Sequence, residues 1–175
     1  MRHFISALFA ILVVSGSVSA WANTNSKETF MLMELKSGTV KIALRDDLAP
    51  NHVERIKQLI TEKFYDGVVF HRVIDGFMAQ TGDPTGTGMG GSDYPDLRAE
   101  FTSEPFQRGT LGMARSQHPD SANSQFFICF EDASWLNGQY TVFGEVVEGM
   151  EHIDAITRGE PPAEPDQIIS LTLAD

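Results

Sequence analysis

Apolar and polar positions fall into short runs that change period along the chain. Phe30-Met31-Leu32-Met33-Glu34-Leu35 reads as a strand, and Thr39–Arg45 alternates apolar and polar after the turn signal Ser37-Gly38. Two such runs around a short glycine-containing turn predict a hairpin. The period then lengthens: Val53, Ile56, Ile60 and Phe64 recur every three or four residues, which predicts a helix. Pro50 suits its first turn, since the amide hydrogen that proline lacks would have no partner there. Strand-like runs follow at Val68–Ile74, Phe77–Gln80, Gly109–Ala114, Ser124–Phe130, Tyr140–Val147 and Asp166–Ala174. Asp132–Leu136 predicts one short helical turn, and Met150, Ile153, Ile156 and Thr157 predict the face of a second helix. Residues 82–96 form a glycine-rich loop, and Gly159–Pro165 a proline-rich turn. There is no repeat and no domain-scale linker. Short strands at this density, with two helices, predict one mainly β domain built as a barrel or sandwich; closing a barrel removes exposed strand edges.

The first residues break the pattern. Met1-Arg2-His3 is short and basic, Phe4–Val14 is apolar but too short to span a bilayer comfortably, and small residues lead to Ala20-Trp21-Ala22. This reads as a secretory signal peptide over residues 1–22, cleaved after Ala22 (Ala20 is the alternative), followed by one domain over residues 23–175. Removing Arg2 leaves 12 basic against 24 acidic residues. So acidic a chain, without a run of Lys or Arg, is a poor partner for nucleic acid or an anionic membrane. The expectation is an exported protein, in the bacterial periplasm, free of the membrane once the leader is removed. Cys129 is the single cysteine, so no intramolecular disulfide forms. It lies in the apolar run Phe126–Phe130, where a buried structural role is expected.

Most familiar chemistries lack their residues. His52, His71, His118 and His152 stand at no metal-ligand spacing. His71, between Phe70 and Arg72, is expected to be buried and hydrogen-bonded. There is no Gly-x-Ser-x-Gly nucleophile elbow, and Gly86-Thr87-Gly88-Met89-Gly90-Gly91 lacks the flanking elements of a phosphate loop. No cofactor or metal is expected.

One cluster remains. Phe70-His71-Arg72-Val73-Ile74-Asp75-Gly76-Phe77-Met78-Ala79-Gln80-Thr81-Gly82-Asp83 is followed by Ser124-Gln125-Phe126-Phe127-Ile128, Trp135-Leu136-Asn137-Gly138 and Val142-Phe143-Gly144. These motifs, in this order, resemble the cyclophilin family of peptidyl-prolyl cis/trans isomerases over roughly residues 29–174. The resemblance implies a closed eight-stranded antiparallel barrel capped by two α-helices. It implies catalytic roles for Arg72 and Gln80, and a substrate groove lined by Phe77, Met78, Ala114, Arg115, Gln125, Phe127, Trp135, Leu136 and Tyr140. In this reading Phe77, Met78, Phe127 and Leu136 hold the proline ring, and Trp135 stands at the rim, where it could also meet a cyclosporin-like macrocycle. The implied partners are proline-containing segments of unfolded or folding exported proteins, met by a monomer. A binding module or chaperone of the same groove, with little turnover, is the alternative.

The sequence also departs from the family pattern. Thr81 stands where members often have Gly, Arg115 where many have Asn, and Tyr140 where human-type enzymes usually have His. The stretch Ser116–Ala122 is one residue longer than in human-type members. Tyr140 offers a hydroxyl and an aromatic face without titrating near neutral pH, so activity is expected not to depend on a histidine ionising.

Overall fold

The computed structural model describes residues 29–174; the leader expected over residues 1–22 lies outside the described residues. Eight strands form one antiparallel sheet: β1 (Phe30–Leu35), β2 (Gly38–Leu44), β3 (Arg72–Ile74), β4 (Met78–Thr81), β5 (Thr110–Met113), β6 (Phe126–Cys129), β7 (Val142–Glu148) and β8 (Ser170–Ala174). Their order across the sheet is β3-β4-β6-β5-β7-β2-β1-β8. Helix α1 (Pro50–Thr61) follows β2, α2 (Met150–Asp154) follows β7, and a 3₁₀ turn at Ser134–Leu136 precedes β7.

The sheet is curled, but its ladders do not close. β3 and β8 are its two edges, and the residues just before each strand span the seam instead. Val69 and Gln167 form an isolated bridge, Phe70 N–H donates to Asp166 O at 2.9 Å, and Ile168 N–H donates to Val68 O at 2.9 Å. The closed barrel implied by the sequence is therefore an open, curled sheet. Only Arg72–Ile74 of the expected run Val68–Ile74 has strand geometry, because residues 68–70 turn aside to meet residues 166–168.

Alternation along the strands separates two apolar clusters. One face carries Met31, Met33, Val40, Ile42, Ala79, Leu111, Phe126, Ile128 and Phe143 into the main core, which α1 covers with Val53, Ile56, Leu59 and Ile60. The other face carries Met78, Phe127 and Cys129 into a smaller cluster with Phe106, Leu136 and Val142. In a strand, neighbouring side chains point to opposite faces, so Ala79 faces one cluster while Met78 and Gln80 face the other. The candidate site is built on this second face.

Candidate active site

The register of the strands sets out a row of side chains across the second face. Arg72 of β3 lies opposite Gln80 of β4, Gln80 opposite Phe127 of β6, and Phe127 opposite Gly112 of β5. Directly opposed residues of an antiparallel pair share a face, so positions far apart in sequence meet in one line. Beyond Arg72 the row continues off the sheet. Val73 exchanges two backbone hydrogen bonds with Gly159, both 2.8 Å, and Arg72 Nε donates to Glu160 Oε2 at 2.8 Å.

A chain of amides continues from the guanidinium. Arg72 Nη1 donates to Gln80 Oε1 at 3.4 Å, and Gln80 Nε2 donates to Gln125 Oε1 at 2.9 Å. Gln125 Nε2 donates to the carbonyls of Gly88 and Gly90 at 3.1 and 2.8 Å. The glycine-rich loop is thereby tied to the site. It is organised around Asp83, whose carboxylate accepts from the backbone N–H groups of Thr85, Thr87, Gly88 and Gly90 and from the Thr85 hydroxyl. Burial opposes ionisation of Asp83, but these bonds outweigh it and hold the carboxyl at about 2. The loop presents Met89 almost fully exposed. It bounds an open cleft of about 440 Å³ that Gln80, Asp96, Arg115, Ser121 and Asn123 also line.

The apolar part of the groove lies on the other side of Gln80. Phe127 stacks on Phe106 with centroids 5.7 Å apart and meets Tyr140 edge-on at 5.9 Å. Phe77 and Trp135 are 5.4 Å apart, and Trp135 is 57% exposed at the rim. Ala114, Phe77 and Tyr140 are partly exposed against the same cluster, with Leu136 and Phe127 nearly covered. Met78, expected as a groove wall, is only 1% exposed and forms the floor beneath these rings. Cys129 shares that floor, its thiol pushed up to about 12 by burial, which leaves it inert at neutral pH.

Arg115 bridges the two regions. Its guanidinium lies 4.4 Å over the Tyr140 ring and donates to the carbonyls of Ser116, Gln117 and Gln139. It thus ties the stretch after Ala114 to the segment before β7. Thr81 is buried on the opposite face, its hydroxyl donating to Val69 O at 3.0 Å, so the side chain in place of the usual Gly links β4 to the segment before β3.

All of the site residues expected from sequence gather on this face. His71 is buried as expected, and among the described residues neither ring nitrogen lies within hydrogen-bond geometry of a partner. Burial lowers its pKa, favouring the neutral ring. The sequence reading missed Glu160, Gly112, Phe106 and Asp83. Glu160 is 88 positions from Arg72 and carries no local signal. Asp83 had one, an acid opening a run of glycines and threonines whose backbone N–H groups can converge on it. Among the described residues no group of three or more His, Cys, Asp or Glu side chains could hold a metal ion, and no helix is long and apolar enough to cross a membrane.

Comparison with known proteins gives a consistent pattern. Residues 30–173 match the family model described as cyclophilin type peptidyl-prolyl cis-trans isomerase/CLD. A probable peptidyl-prolyl cis-trans isomerase of Brucella suis is 51% identical over 191 aligned positions, covering 99% of this chain and 97% of the relative. Peptidyl-prolyl cis-trans isomerase A of Dickeya dadantii is 36% identical, covering 90% and 85%. Among solved structures, a cyclophilin type isomerase of Cryptosporidium parvum in the presence of the dipeptide Ala-Pro superposes with a TM-score of 0.78 at 28% identity, covering 83% of this chain and 99% of that one. A cyclophilin of Hirschia baltica superposes with a TM-score of 0.76 at 26% identity, covering 83% and 76%.

Proposed function

The chain belongs to the cyclophilin-type peptidyl-prolyl cis-trans isomerases, and from that premise we propose that it speeds rotation of X-Pro bonds in exported proteins through Arg72. The observation that carries this reading is a guanidinium held at two edges beside an apolar pocket, by Glu160 at Nε and Gln80 at Nη1.

Rotation is slow because the nitrogen lone pair is delocalised into the carbonyl, giving a barrier of about 18–20 kcal/mol. Uncatalysed exchange at proline takes roughly tens to hundreds of seconds. No bond to a heavy atom breaks, so the residues need only bind and favour the twisted amide. Phe77, Phe127, Leu136 and Tyr140 hold the proline ring over the floor made by Met78, while the peptide on its amino side swings. At the twisted geometry the lone pair returns to nitrogen and becomes an acceptor. Arg72 Nη2, which has no hydrogen-bond partner among the described residues, donates to it. The planar ground state offers no such acceptor, so the contact lowers the barrier selectively. Gln80 retains one amide hydrogen beyond the one given to Gln125, which can bind a substrate carbonyl. Gln125, Ala114 and Arg115 line the path of the substrate backbone. Trp135 supplies an indole donor at the rim, for a client carbonyl or a cyclosporin-like macrocycle.

The setting proposed for this activity is the bacterial periplasm, reached through the leader over residues 1–22. The clients are unfolded or folding proteins whose X-Pro bonds limit their folding, met by a monomer. The test is cis-to-trans isomerisation of a short Ala-Pro peptide by the mature protein and by Arg72→Ala. The variant is expected to lose roughly a hundredfold to a thousandfold in kcat/KM with an unchanged circular dichroism spectrum. An Arg72→Ala variant as fast as wild type overturns the role given to Arg72. A wild-type protein that binds the peptide without accelerating it restores the binding-module reading.

A further inference from the structure

We infer that Glu160 is a positioning residue for Arg72: its carboxylate holds the Nε edge of the guanidinium and so aims the free terminal amino group at the twisted amide. This rests on the reading of Arg72 given under Proposed function and deepens it.

The backbone, not side-chain chance, brings the two together. The antiparallel bridge pairs Val73 with Gly159. One step back on β3 and one step forward on the facing segment, Arg72 therefore lies opposite Glu160, on the same face. Gly159 is required for the turn that follows the bridge and carries Glu160. Its φ is +150°, and a Cβ there would lie 2.5 Å from Pro162 Cα. The arm that carries Glu160 is pinned before the bridge as well. Thr157 N–H donates to Asp166 Oδ2 at 2.8 Å. Arg158 donates to Asp75 and to the carbonyls of Asp154 and Ile156, and lies 4.1 Å over the Phe130 ring. Arg158 is thus occupied elsewhere and does not compete for Glu160, whose partner among the described residues is Arg72.

An isolated ion pair at a surface orders little, because two long side chains must give up their freedom for one contact. Here the carboxylate arrives on a segment pinned to β3 by the Val73–Gly159 bridge, and the guanidinium already meets Gln80 on its other edge. Two fixed points define the plane of a rigid fork. With Glu160 removed, Arg72 keeps, among the described residues, only the 3.4 Å contact to Gln80, and its plane is free to turn. A donor that acts only at the transition state is sensitive to such loss of aim, while peptide binding by the apolar pocket is not.

The experiment compares wild type with Glu160→Ala, Glu160→Gln, Arg72→Ala and the Arg72→Ala/Glu160→Ala double variant, measuring kcat and KM on an Ala-Pro peptide and the Arg72 Nε–H signal by nitrogen-15 NMR. Glu160→Ala is expected to lower kcat about threefold to tenfold with KM within about twofold, and to speed solvent exchange of the Arg72 Nε–H. Glu160→Gln, which keeps an acceptor oxygen, is expected to recover most of the loss. The double variant is expected to match Arg72→Ala, because a residue that acts through Arg72 has nothing left to act on. Glu160→Ala with wild-type kcat beside an inactive Arg72→Ala overturns the role of Glu160 alone. A double variant slower than Arg72→Ala by the full Glu160→Ala factor overturns it too. A fully active Arg72→Ala instead overturns the reading of Arg72.

Discussion

At Gly112 the row that crosses the groove leaves room for hydrogen only. A Cβ built there would lie 2.4 Å from Phe127 Cζ and 2.6 Å from Phe106 Cε1. Both distances are far inside van der Waals contact, and both atoms belong to the stacked ring pair under the proposed proline pocket. Gly112→Ala must therefore push Phe127 outward or part the two rings. Overpacking of this kind costs about 1–3 kcal/mol, so the urea midpoint should fall, and the displaced Phe127 should raise KM for an Ala-Pro peptide. A variant with wild-type KM and midpoint would show that the rings absorb the methyl group without moving the pocket. Residues of this sort divide what the sequence can disclose. Arg72, Gln80 and Phe127 sit inside long motifs and are readable from them. Gly112 and Glu160 gain their meaning only from the strand register and the Val73–Gly159 bridge, which no local pattern encodes.

Among the elements, α1 shows the same division. Its apolar period was enough to predict a helix, and Pro50 does occupy the first turn. The Asp46-Asp47 pair before it does not cap it: Asp47 instead accepts from Arg45 Nε and Nη2, both at 2.8 Å. The cap comes from a loop nearly fifty residues away. Glu100 accepts the backbone N–H groups of Asn51 and His52 at 3.2 and 3.1 Å, and also binds the Asn51 amide and the His52 ring. A carboxylate there satisfies otherwise unpaired helix donors and faces the positive end of the helix dipole. Glu100→Ala would uncap α1 and leave His52 Nδ1 buried without a partner. The expected loss is about 1–3 kcal/mol, read as a lower urea midpoint, with Glu100→Gln retaining most of the stability. Equal midpoints for wild type and Glu100→Ala would mean that water replaces the carboxylate without cost. The strands were legible from alternation in the same way, whereas the open seam was not: strand patterns reveal which face is buried, but not whether the last strand reaches the first.

For the whole molecule, the decisive feature is a sheet with apolar clusters on both faces and two buried histidines at its margins. His52 of α1 is fully buried against the loop bearing Glu100, and its Nε2 has no partner among the described residues. His71 is buried beside the glycine-rich loop, with neither nitrogen partnered among the described residues. Burial lowers the pKa of both. For His52 it prevails over the pull of Glu100 and is reinforced by Arg55; for His71 it prevails over Asp83 and is reinforced by Arg72. An unfolded histidine takes up its proton near 6.5, before either folded one does. Between those values the unfolded state binds more protons, so stability is full above 6.5 and declines as pH falls below it. Asp83 acts in a lower window. Its carboxyl is held at about 2, against 3.8 unperturbed, so it adds roughly 2 kcal/mol that is present above 3.8 and lost as pH falls toward 2. Urea midpoints should therefore be level from pH 8 to 7, fall once the pH drops below 6.5, and fall further below pH 4. The activity of the molecules still folded should stay level across the first drop, because the proposed donors are a guanidinium and an amide, neither of which is an acid–base group of the histidine range. A midpoint constant from pH 7 to 5 would mean that the protein accepts a proton on these histidines without opening. A kcat that falls with the histidine range while the fold persists would instead place an ionising group in the groove itself.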